Sequence, residues 1–151
     1  MKKIFLLVAI MALSLSCSNS DDNKEKVYTY FDIMGNWNYS ELIYPDGSKV
    51  PYQNFVDCPS EKSYVEIENI VLKHHRFGYQ CNNYVVGYAN YPYLFENRFT
   101  GDGMFGDFFE NGLVEKLTST ELIITFNVPR SSSSIGIGDE VSGIVLTKRV
   151  E

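Results

Sequence analysis

His74-His75 is the first place to look for chemistry, because these are the only two histidines in the chain. An imidazole near neutral pH can ligate a metal or move a proton. Adjacent residues on a strand point to opposite faces, so regular β geometry cannot aim both rings at one ion. The expectation is one surface imidazole and one partly buried. Asp102, Asp107 and Glu110 fall in the glycine-rich segment Gly101 to Gly112. Calcium takes carboxylates from flexible loops, but this spacing matches no EF-hand, and a solvated hairpin is the simpler reading. Gly101, Gly103 and Gly106 do not form a phosphate loop, since no Lys-Ser/Thr pair follows and no helix is expected there. A catalytic nucleophile needs a base held beside it. The serines gather in the N-terminal linker and at Ser131 to Ser134, with no Gly-x-Ser-x-Gly elbow. Glu66 and Glu68 share one strand face, where solvent exposure is the ordinary explanation. The residues therefore point to no catalytic group, no metal and no cofactor, and the chain is expected not to be an enzyme.

The N-terminus speaks of location. Lys2 and Lys3 precede an apolar run of ten residues, Ile4 to Leu13. That is a signal-peptide length, well short of the roughly 20 residues that span a bilayer. Ser14-Leu15-Ser16-Cys17 resembles a lipobox, with Ser14 where the usual leucine stands. The resemblance implies removal of residues 1–16 and lipid attachment at Cys17, with membrane contact through that anchor. Of three cysteines, Cys58 and Cys81 then remain as an even pair in an oxidising compartment, and a disulfide between them is expected. Residues 17–30 read as anchor and tether, polar and charged at first. Ser20-Asp21-Asp22 resembles the acidic export tag of surface lipoproteins from Bacteroidetes-type bacteria. The location implied is the outer membrane, with display on the outer face as an option.

The domain expected over residues 31–151 is about 120 residues, enough for one core. Taking Lys2 and Lys3 from the thirteen basic residues leaves eleven against nineteen acidic ones, a net charge of −8. Nucleic acid is thereby a poor partner, as is a cationic grip on anionic lipid.

Short strands and turns dominate. Trp37 and Tyr39 share one face, whereas Leu42 and Tyr44 follow the other phase, and a bulge near Ser40-Glu41 would account for the switch. Pro45-Asp46-Gly47-Ser48 is a turn. Val65 and Ile67 point inward from Tyr64 to Glu68. Strands are expected at Ile70 to Phe77 and Tyr84 to Tyr88, with a break at Pro92. Tyr93, Phe95 and Phe99 are expected on one face, followed by a strand over Met104 to Glu110 that runs on toward Leu117. Leu122, Ile124 and Phe126 share a face, Pro129 to Asp139 reads as a loop, and Val141 to Val150 closes the chain. Val27 to Met34 leads in with a turn of helix at most.

About eight strands at this spacing predict an all-β fold, a small antiparallel barrel. Gly35-x-Trp37 opening the first strand resembles the signature of lipocalins, and the chain is similar to the lipocalin-like lipoproteins of Bacteroidetes-type bacteria over residues 33–150. That resemblance implies a lipocalin-like barrel with Trp37 buried at its closed end, and it leaves function open. Eleven tyrosines and ten phenylalanines offer apolar and stacking surface. The expected function is non-catalytic binding of a small hydrophobic or aromatic ligand, with Trp37, Tyr39, Tyr88 and Phe95 as lining residues and Glu41 or Asn97 to orient it. The alternative is a surface module on a filled barrel that contacts protein or glycan through its loops.

Overall fold

The computed structural model describes residues 26–54 and 58–150. The expected signal peptide, the Cys17 anchor and the tether up to residue 25 lie outside the described residues. A short helix, α1 (Tyr30–Ile33), leads into β1 (Gly35–Ile43), and β2 (Lys49–Pro51) returns beside it. Then come β3 (Tyr64–Ile67), β4 (Val71–Phe77), a 3-10 turn at Tyr79–Cys81, β5 (Asn83–Asn90) and β6 (Pro92–Phe95). The chain finishes with β7 (Arg98–Gly101), β8 (Leu113–Leu117), β9 (Glu121–Ser132) and β10 (Ile137–Lys148). Neighbours pair antiparallel in the order β5-β4-β3-β1-β10-β9-β8-β7-β6, with β2 attached to β1. These nine strands form a nearly closed, all-β antiparallel barrel, the class the strand spacing predicted.

Where alternation was clean, it set the inward face. Val65, Ile67, Leu122, Ile124 and Phe126 are all buried. The pairing of β1 with β10 slips between Tyr39 and Glu41, the bulge that the change of phase demanded. Trp37 and Tyr39 are thereby both turned into the core, and so is Leu42 beyond the slip. A single cluster runs from Trp37 through Leu72, Phe99 and Phe109 to Ile144. Each such fully buried side chain stabilises the fold by about 1.5–3 kcal/mol relative to exposure.

Three stretches depart from the sequence reading. Tyr93 and Phe95 do not share a face with Phe99. A two-residue turn at Glu96-Asn97, both at positive φ, makes a hairpin that sets Leu94 opposite Phe99. Phe99 is buried, whereas Tyr93 and Phe95 face outward. The break expected at Pro92 is there, since β5 ends at Asn90 and Pro92 opens β6 at the sheet edge. Met104 to Glu110 is not a strand but a series of turns, in which Asp107 N–H donates to the Met104 carbonyl at 2.8 Å and Glu110 N–H to that of Asp107 at 3.1 Å. The expected loop at Pro129 to Asp139 shrinks to a tight turn, closed by Gly136 N–H on the Ser133 carbonyl. β9 carries Pro129 within it, and its pairing with β10 shifts register there.

The opening of the barrel lies between β5 and β6, which are the two edges of the sheet although consecutive in sequence. The chain crosses at Tyr91, a non-glycine residue at φ +48°. The turns of 102–112 fill that seam, with Met104, Phe108 and Phe109 turned inward and buried. Gly103 N–H donates to the Asn90 carbonyl, and a Cβ on Gly103 would lie 2.8 Å from Asn90 backbone. No other residue type fits that approach.

Candidate functional site

Trp37 is packed in the barrel core, 2% exposed, with its indole N–H donating to the Ile33 carbonyl of α1 at 2.8 Å. Gly35 stands at φ +122°, and what approaches it is the Lys148 side chain. Lys148 Nζ donates to the Met34 carbonyl at 3.0 Å and sits 4.3 Å from the Trp37 ring centroid. Desolvation holds this ammonium below the usual lysine pKa range.

Tyr39 enters the same core and meets the one buried polar relay among the described residues that joins three chemically active side chains. Its hydroxyl lies 2.5 Å from His74 Nδ1, and His74 Nε2 lies 3.0 Å from Asp107 Oδ2. Burial, followed by the neighbouring Tyr52 and Asp107, raises the Tyr39 phenol well above its ordinary value, so it keeps its proton. The Tyr39 hydroxyl and the Asp107 carboxylate thus take up both imidazole nitrogens, with Nε2 donating to the carboxylate. Phe109 packs edge-on against the imidazole, 5.0 Å between centroids, and its own N–H donates to Asp107 Oδ1 at 2.8 Å. Tyr52 stacks on Tyr39 at 5.1 Å and donates to the Ile135 carbonyl.

The relay has the residue types of an acid–base site, but both imidazole nitrogens are taken. Among the described residues no serine hydroxyl is bonded to His74. What the relay does physically is fasten the 102–112 turns to β4 and β1.

His75 points the other way, as neighbours on a strand must, and it is buried too. His74 is 2% exposed and His75 8%, which corrects the expectation of one surface imidazole. Tyr64 covers His75 by stacking at 4.3 Å, while Glu66 and Asn83 hold its nitrogens at 3.0 and 3.2 Å. Glu66 and Glu68 both contact Lys73. Partial burial works against the Glu66 carboxylate, yet hydrogen bonds from Lys73 and His75 hold it below its usual range. Asp102, Asp107 and Glu110 do not converge: Asp107 turns to His74, while Glu110 accepts the Gly106 N–H. Among the described residues no group of three or more potential ligands could hold a metal.

The four residues expected to line a ligand separate into two pairs. Trp37 and Tyr39 are packed core. Tyr88 is 65% exposed and Phe95 63%, both outside the barrel. Asn97 is also spoken for, since it accepts the Tyr28 N–H at 2.6 Å and donates to the Lys26 carbonyl at 2.8 Å. It docks the lead-in segment, so packing begins before residue 31. Cys58 and Cys81 are bonded, with α-carbons 5.3 Å apart, tying the segment after β2 to the turn before β5.

The clefts found among the described residues lie at the surface. One of about 190 Å³ follows the seam, with His74 and Asp107 in its floor, Tyr88 and Phe105 at its rim, and Ser132 and Ser134 opposite. A second, of about 340 Å³, shares Gly106, Asp107, Phe108 and Ser132 with it and extends to Arg130. Arg130 Nη1 donates to the carbonyls of Phe108 and Glu110 at 3.0 and 2.7 Å, and its guanidinium lies 4.7 Å over Phe126. Around the seam stand Tyr91, Tyr93 and Phe105, at least half exposed. The aromatic count advertised this surface; the register that turns these rings outward was not in the sequence pattern. Comparison with protein-family models, with curated proteins and with solved structures returned no match.

Proposed function

We propose that this chain is a non-catalytic cell-envelope lipoprotein of lipocalin-like type, anchored through Cys17 in the outer membrane, whose barrel is a packed scaffold for a contact surface on its outside. The observation that carries this reading is the division of the aromatics. Trp37, Tyr39, Phe99 and Phe109 fill the core, while Tyr88, Tyr91, Tyr93, Phe95 and Phe105 stand exposed around the β5–β6 seam. Exposed aromatics gathered in one region mark interaction sites more often than isolated ones do. The −8 charge of the processed chain directs the surface away from polyanions. Photo-crosslinking in the native host tests it, with the reactive group placed at Tyr88 or Phe95 and at Val150 as control. Adducts at the first two positions and none at Val150 are expected; equal yield at all three contradicts the reading.

A second reading, a small hydrophobic ligand, rests on the open surface hollow of about 670 Å³ lined by Met34, Gly35, Ile67 and Ile70, with Glu68 and Asn69 beside them. Its neighbour Trp37 supplies the test. Titration with oleate should change tryptophan emission if the hollow is occupied, and leave it unchanged under the first reading.

A further inference from the structure

Resting on the outer-surface reading, we propose that the seam trough is a subsite for neutral saccharide, with Tyr88 and Phe105 stacking on pyranose faces and Ser132, Ser134 and Arg130 bonding to ring hydroxyls. A pyranose presents apolar C–H faces and a polar edge of donors and acceptors, and the trough is built to the same division. Its rim carries two aromatic side chains, 65% and 94% exposed, whose faces are open to stacking. Its floor is polar. Ser132 and Ser134 hydroxyls lie 3.0 Å from each other, ready to exchange that bond for one to a ligand. Arg130 has no carboxylate within ion-pair distance among the described residues. Its Nη1 hydrogens serve two backbone carbonyls, which leaves the other donors of the fork for a ligand in the cleft it lines.

Charge and size narrow the class. Asp107 and Glu110 line the trough and would repel an anionic sugar, phosphate or acidic peptide. A purely apolar ligand would cover the unused donors of the Arg130 fork and leave them without partners. The adjoining clefts of about 190 and 340 Å³ together fall in the range of about 300–1,000 Å³ typical of small-ligand sites. The relay beneath supplies rigidity, because Asp107 is held by His74 and by Phe109 N–H and so cannot swing into the trough.

Isothermal titration calorimetry of the full-length protein with maltohexaose, cellohexaose, mannohexaose and chitohexaose tests the assignment. At least one hexasaccharide is expected to bind with Kd at or below about 1 mM. Tyr88→Ala and Phe105→Ala should each weaken it about tenfold, the loss of one stacked ring, with unchanged Tm because both rings are exposed. Absence of binding by all four sugars overturns the proposal, as does binding that both variants retain. If Tyr88 crosslinks to a protein in the host while no hexasaccharide binds, the outer surface stands and the saccharide assignment falls. If position 88 crosslinks no better than position 150 and no sugar binds, both readings fall together.

Discussion

His74 Nε2 stands 3.0 Å from Asp107 Oδ2 inside the barrel, so a strand residue holds the loop that fills the seam. The two are 33 positions apart and their side chains are only 2% and 4% exposed. Asp107→Ala should cost about 3 kcal/mol, because it leaves a buried imidazole N–H and the Phe109 N–H without acceptors. Hydrogen exchange should rise at residues 104–111 before the sheet opens. A loss below about 0.5 kcal/mol with unchanged exchange would mean that the bond contributes nothing to closing the seam.

The Cys58–Cys81 bridge closes a sequence separation of 23 residues, so its removal should cost about 3 kcal/mol through the freed unfolded chain. Denaturant midpoints of the protein with and without reductant, and of the Cys58→Ser/Cys81→Ser double variant, give the number. Two alkylatable thiols in protein taken from an oxidising compartment would refute the bond itself.

Tyr30, Tyr39 and Tyr52 set the alkaline limit. Burial is the first cause that raises all three phenols, reinforced at Tyr39 by Tyr52 and Asp107 and at Tyr30 by Asp107 and Glu68. With folded pKa values raised, their stabilising contribution is complete below about 10, the ordinary tyrosine value. It is lost as pH climbs from there toward the folded values, where the unfolded chain ionises and the native one does not. Tyrosinate absorbance should therefore show an early exposed class and a late class that appears together with loss of β circular dichroism. A single transition near 10 with the fold intact would contradict the burial.

Gly35→Ala should destabilise by about 1–3 kcal/mol, since a methyl-bearing residue is strained at φ +122°. The new Cβ would also fall 2.3 Å from Lys148 Nζ and push that ammonium off the Trp37 ring. Thermal denaturation and the Trp37 emission maximum report the two effects. A variant as stable as the parent would show that the glycine is dispensable.

The parts of the fold that could be read in the sequence are those where local pattern and tertiary packing agree. Alternation at Tyr64 to Ile67 and Leu122 to Phe126, the phase slip after Tyr39 and the even cysteine pair all correspond to features of the barrel. The aromatic run from Tyr93 to Phe99 was misleading because period-two spacing is the same in one long strand and in a hairpin with a two-residue turn. Only the positive φ of Glu96 and Asn97 decides between them. Met104 to Glu110 has strand-like aromatics, but Gly106 and Asp107 favour successive turns that deliver Phe108 and Phe109 inward. The Tyr39–His74–Asp107 relay had no local signal at all, since three distant segments meet only after the sheet has curled.

That the barrel is filled and works from its outside is tested most directly by native mass spectrometry of the protein purified from its own host. The expected mass is that of the chain processed at Cys17, carrying its lipid and the Cys58–Cys81 bond, with no small apolar molecule that unfolding releases. A stoichiometric apolar ligand set free only on unfolding would contradict the packed-scaffold reading and place the working site inside.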